Sequence, residues 1–183
     1  MHKMTDIALK RQGLSTSSME SLIVALASDN GEIRREAREF LIARGEEALP
    51  YLISELTSSK EHHRWEAAKA LSEIRHGTSA EILVAVLNDQ SEDVRWVAAE
   101  GLISIGVKSL EPLLRELTFR YNSVEFRTSA AHVLRALSGL EISDAVRPVL
   151  NALRKNTLID HLPVLAYRAW DSLRRSRMQI AAN

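Results

Sequence analysis

The chain has 183 residues, 45% of them apolar and 26% charged, with 24 Lys+Arg against 24 Asp+Glu and no cysteine. That length allows one domain with a substantial core and excludes two large ones. The missing cysteines exclude disulfide frameworks, thiolate metal sites and a cysteine nucleophile, and the zero net charge gives no overall basic character of the kind that draws nucleic acid.

Aromatics are only 5% of the chain, with seven glycines and four prolines. This profile favours helices over sheet, because strands prefer β-branched and aromatic residues. The opening segment, residues 1–15, reads as an extension. Its "MHKMTDIALKRQG" lacks a signal peptide's apolar core, and no apolar run approaches the ~20 residues of a membrane span, so a cytoplasmic location is expected. A first helix is predicted over 17–28, where "SMESLIVALAS" carries an apolar stripe at helical spacing.

A repeat then begins. Arg34, Arg64, Arg95 and Arg127 follow one another at intervals of 30, 31 and 32 residues. Three residues after each stands Ala37, Ala67, Ala98 or Ala130, and seven after each stands Leu41, Leu71, Leu102 or Leu134. Ahead of each arginine lies a capping-box pattern: Asp29-x-x-Glu32, Ser58-x-x-Glu61, Asp89-x-x-Glu92 and Asn122-x-x-Glu125. Behind each leucine comes Gly45, Gly77, Gly106 or Gly139, suited to a left-handed helix end. A second apolar run follows each glycine: "ALPYLISEL", "SAEILVAVL", "SLEPLLREL" and "AVRPVLNAL".

The units span about 29–58, 59–88, 89–121 and 122–155, each a helix, a turn, a second helix and a polar link. Neither helix buries its stripe alone, but stacked units bury a continuous core. Over 160–178, "LPVLAYRAWDSLRRSRM" has Ala169 and Leu173 in first-helix register but Ala166 in place of the arginine, so it reads as a terminal capping helix.

The phrase "DQSEDVRWVAAEGL" and its three companions resemble the HEAT repeat, and more closely the short HEAT-like repeat of phycobilisome-lyase-type proteins. The resemblance covers roughly residues 17–178. It implies an all-α fold, a right-handed α–α superhelix or solenoid of about five hairpin units. It also implies a structural ladder for Arg34, Arg64, Arg95 and Arg127, tying units together through Asp29, Asp89 and the neutral Asn122. Functionally it implies a non-enzymatic scaffold or adaptor for protein partners. Its rival implication is a phycobilin-lyase-like chaperone or lyase subunit, although the chain has no bilin-holding cysteine.

Two surfaces are candidates for the partner, which would be a peptide or a helix. On a helical wheel Trp96 falls about 160° from the buried stripe, and Trp65 is its counterpart one unit earlier. The pair reads either as an outer apolar patch or as rings folded onto neighbouring units. By analogy with HEAT-like stacks, the second helices line a concave face. A groove there would comprise Tyr51, Ile82, Pro112 and Phe119, with Arg115 and Lys155 toward its basic end; an ordinary solvated face is the alternative.

Charge is polarised along the chain. Residues 115–183 hold 11 basic and 6 acidic side chains (+5), leaving 24 − 11 = 13 basic and 24 − 6 = 18 acidic (−5) in residues 1–114. The terminal cluster Arg168, Arg174, Arg175 and Arg177 is the best case for nucleic acid, but it sits on one helix and is not repeated, so nucleic acid is not the expected partner. Pairing of acidic and basic ends between copies is a further possibility. The histidines are His2, His62, His63, His76, His132 and His161. The adjacent His62 and His63 should diverge in a helix's first turn, so no metal site or other cofactor is expected. No phosphate loop, nucleophile elbow or paired-carboxylate motif is present.

Overall fold

The computed structural model describes residues 17–74, 77–139, 143–155 and 159–182; the 1–15 extension lies outside them, as do the side chains of Lys155 and Arg177. The described helices are, in order, α1 (Met19–Leu26), α2 (Gly31–Arg44), α3 (Leu49–Glu55), α4 (Glu61–Ile74), α5 (Gly77–Val86), α6 (Glu92–Ile105), α7 (Leu110–Phe119), α8 (Val124–Leu137), α9 (Ser143–Lys155) and α10 (Leu162–Ala182). The fold is an all-α solenoid, and among the described residues there is no strand.

The repeated arginine phrase produces first helices of equal length: α2, α4, α6 and α8 each run 14 residues. Their caps fall later than the capping-box spacing predicts. Asn30, Ser91 and Ser123 occupy the cap positions, Asn30 accepting from the Glu32 amide and the two serines from the amides of Val94 and Phe126. Gly45 and Gly106 adopt φ of 58° and 76° and feed 3₁₀ turns, Gly45–Ala48 and Gly106–Ser109, that lead into α3 and α7. Gly77 instead opens α5, and Gly139 follows α8 without a left-handed φ. The glycine turn is therefore built in two of its four copies.

Stacking explains the repeated apolar positions. Ala37, Ala67, Ala98 and Ala130, with Leu41, Leu71, Leu102 and Leu134, are all fully buried. The first helices form one layer, α2 on α4, α4 on α6 and α6 on α8. In the other layer α5 packs on α7 and also lies against both α4 and α6. Such wedging buries two sides of α6, so Val97, Ala99 and Gly101 join Val94, Ala98 and Leu102 inside.

The terminal helix departs from its sequence reading. Its residues fit the first-helix pattern, yet α10 packs most extensively against α7, a second helix, and next against α9. It thus takes the place beside α7 that the second helix of the last unit would hold. Two contributors are visible: α10 lacks the ladder arginine, and among its buried residues Ala166 and Ala169 are small and suited to close packing beside Leu162. Among the described residues no helix is long and apolar enough to cross a membrane.

Candidate partner-binding site

The four repeat arginines share one local job. Arg34 donates from Nη1 to the carbonyls of Ser28 (2.7 Å) and Asp29 (3.0 Å), and Arg64 to those of Ser58 (2.9 Å) and Ser59 (3.4 Å). Arg95 donates to Asp89 (2.8 Å) and Gln90 (3.1 Å), and Arg127 to Tyr121 (2.6 Å). Each guanidinium therefore reaches back over its own helix's first turn and satisfies carbonyls of the incoming link, which would otherwise lack partners.

Their remaining nitrogens meet different fates. Arg64, 5% exposed, grips the next unit's Asp89 with Nε and Nη2, at 2.8 and 2.9 Å. Burial alone would raise the Asp89 pKa. The Arg64 hydrogen bonds, the Ser91 amide and the charges of Arg64 and Arg95 outweigh it and hold the carboxyl below its ordinary value. Arg34 finds Glu66 instead (3.0 Å), and Arg38 pairs with the same buried carboxylate. The expected carboxylate of Asp29 is not a partner of Arg34, which takes only its carbonyl. Asn122 is likewise bypassed, because the arginine reaches six residues back, to Tyr121. In the Asp89 register, the next unit has Tyr121, so Arg95 has no carboxylate to grip.

That vacancy in the ladder coincides with an open cleft of about 980 Å³ between α6, α8 and α9. Arg95 and Trp96 of α6, Val124, Arg127, His132 and Arg135 of α8, and Leu153 and Arg154 of α9 line it. Trp96 is 58% exposed, and Val124 is exposed too. Glu92 and Glu125 are the acidic residues of the lining. Glu125 sits below the usual carboxylate range, first through its own backbone amide and the Ser123 hydroxyl, then through the charges of Arg95 and Arg127. His132 bonds Glu100 through Nε2 (2.9 Å). A second hollow, about 660 Å³, continues from Arg135 and Arg154 to Arg147, Leu150 and Asn151.

Trp65 and Trp96 do not form a joint patch. Trp65 is half-buried against the core, and among the described residues the two rings make no contact with each other. The second-helix groove is also revised. Pro112 is buried, on a helix that packs against α10 as well as α5. Ile82 packs half-buried against the core, and the Tyr51 hydroxyl donates to Glu20 (3.2 Å), which ties α3 to α1; the negative charge of Glu20, and then this hydrogen bond, raise the phenol's pKa. Arg115 faces Glu81 at 3.6 Å, and Phe119 stands out at 73% exposure. These residues are spread over separate contacts rather than gathered in one groove.

His62 and His63 do not diverge: their rings meet edge to face with centroids 4.5 Å apart, and His63 Nδ1 contacts Glu55 at 2.9 Å. Among the described residues no group of three or more His, Asp or Glu side chains could hold a metal ion. In the C-terminal cluster Arg175 pairs with Asp171 at 2.7 Å, and Arg174 lies 5.8 Å from the Trp170 ring centroid. As site residues, His132, Arg135 and Arg154 of the cleft and Arg147 of the adjoining hollow escaped the sequence reading. Their signal was the spacing of Arg127/Arg135 and Arg147/Arg154, eight and seven residues apart, which puts each pair on one helix face.

A HEAT-repeat family model matches residues 19–95 and again 80–174. The chain belongs to the HEAT-repeat family. HEAT repeats generally serve as protein-interaction scaffolds, and this family is typically non-enzymatic. Among solved structures, a crystal structure of an engineered protein is 22% identical to this HEAT-repeat chain, with a TM-score of 0.42 over 86% of this chain and 79% of that one. No curated protein matches.

Proposed function

We propose that the chain is a non-enzymatic scaffold that holds a segment of another protein in the α6–α8–α9 cleft, with an apolar side chain of the partner against Trp96. One observation carries this reading: a tryptophan that is 58% exposed on the wall of a roomy cleft, in a protein whose other repeat positions are explained by stacking. Tryptophan buries a large area at little entropic cost and is enriched among the residues that dominate interfaces. The stiff stack presents this wall preformed, so binding does not have to order it first.

A displayed random-peptide library screened against the intact chain tests the reading. Peptides selected on the wild type should lose binding about tenfold or more with Trp96→Ala. They should keep it with Phe119→Ala, which removes an exposed aromatic of the other layer. Loss with Phe119→Ala and none with Trp96→Ala would place the site on the second helices instead.

A further inference from the structure

We infer that the occupant of the cleft is an acidic peptide segment, with carboxylate side chains flanking the apolar residue that meets Trp96. This rests on the cleft being the docking site and adds the chemical class of what docks there.

Charge complementarity is the basis. Arg95, Arg127, Arg135 and Arg154 line the cleft against only Glu92 and Glu125, and Arg147 extends the cationic strip through the adjoining hollow. Among the described residues Arg135 and Arg154 have no ion-pair partner, and both are exposed. Arg147 is committed to Asp144 at 2.7 Å. Arg95 and Arg127 are held by backbone carbonyls and, among the described residues, form no direct carboxylate ion pair, Glu125 being the acidic neighbour that feels both charges. A carboxylate gains most from an arginine fixed in this way, since little side-chain entropy remains to be lost.

Spacing sets the length of the segment. Eight residues of α8 separate Arg127 from Arg135, or about 12 Å, and seven of α9 separate Arg147 from Arg154, or about 10 Å. An extended chain covers that distance in about four residues. Acidic side chains three or four apart, with an apolar residue between them, would meet both ends of the cationic row and the tryptophan together.

Two other occupants fit less well. A nucleic-acid strand brings a continuous line of phosphates, and Glu92 and Glu125 interrupt the cleft while the rest of residues 1–114, without the lining residues Arg95 and Glu92, carries a net −5 (13 − 1 = 12 basic, 18 − 1 = 17 acidic). The chain's own residues 1–16 hold Lys3, Lys10 and Arg11 against Asp6, so their charge is of the wrong sign.

The test uses the intact chain and a fluorescein-labelled peptide with glutamates around a central leucine, read by anisotropy. Its counterpart with glutamine for glutamate and a labelled single-stranded oligothymidine serve as comparisons. The glutamate peptide should bind at least about tenfold tighter than the glutamine one, and should weaken several-fold between about 50 and about 200 mM salt. Arg135→Glu/Arg154→Glu should abolish its binding, and Trp96→Ala should weaken it. Arg168→Glu/Arg175→Glu, an equal charge change on α10, should leave it within about twofold. Circular dichroism confirms that each variant is folded. Equal binding of both peptides, equal loss with the α10 variant, or displacement by the oligonucleotide overturns the acidic-peptide assignment. If library peptides depend on Trp96 yet are neutral and insensitive to Arg135→Glu/Arg154→Glu, the cleft stands and its acidic specificity falls. If they ignore Trp96, the cleft itself is the error.

Discussion

The junction between α4 and α6 and the junction between α6 and α8 are built from the same repeated phrase and come out differently. At the first, Arg64 is buried in a two-point grip on Asp89, Trp65 is half-buried, and Gly101 lies against Ser72. At the second, Arg95 holds only carbonyls, Trp96 is 58% exposed, and a cleft of about 980 Å³ opens. The causes are local. Tyr121 stands where Asp89 stood one unit earlier. The small pair Gly101 and Ser72 becomes Val133 and Ile103 in the same register, whose larger side chains oppose so close an approach. α4 and α6 accordingly pack more extensively than α6 and α8. The lesson is that a repeat's shared residues hold the stack together, and a binding surface arises where one copy leaves the ladder incomplete.

The largest expected effect lies at the closed junction. Asp89→Ala strands the buried Arg64 charge and should cost about 3 kcal/mol in urea unfolding. Arg95→Ala removes bonds to carbonyls at a half-exposed site and should cost about 1 kcal/mol. Equal losses would erase the distinction between the junctions. Gly101→Ala comes next: the new Cβ would stand 2.5 Å from Ser72 Cβ and 3.2 Å from its Cα, so the helices must part, at about 2 kcal/mol. Truncating Val133 to alanine at the same register should lose stability through a cavity instead, and a stabilising Gly101→Ala would show that the close approach is not required.

Much of the fold was legible in the sequence because stacking leaves a periodic mark. The arginine, alanine and leucine intervals identified the first helices, and all the repeated alanines and leucines are buried. The arginine's true acceptors were less visible, since a backbone carbonyl six residues back carries no side-chain signature. Pro112 differs for another reason: it lies on α7, which α10 packs against, and the sequence pattern of α10 suggested the other layer. Of the candidate site, Trp96 and Arg95 were readable from one helix wheel. Arg135 and Arg154 were not, because they lie on different helices and only the packing of α8 with α9 brings them to one cleft.

Acid should blunt the same comparison more gently. The folded Asp89 carboxyl titrates below its unfolded value of about 3.9, so its contribution is present above that pH and is lost as pH falls through the depressed value. The stability gap between wild type and Asp89→Asn should therefore be widest near neutrality and narrow toward about pH 3. A gap that stays constant with pH would show that the ionised carboxylate is not what Arg64 requires.

The most direct test of the open junction as the docking site uses the chain's three tryptophans. In Trp65→Phe/Trp170→Phe only Trp96 remains to fluoresce, and it starts exposed to water. Titration with a library-selected peptide should shift its emission to the blue and shield it from an aqueous quencher. An unchanged Trp96 emission at saturating peptide, with anisotropy showing the peptide bound, would contradict the account.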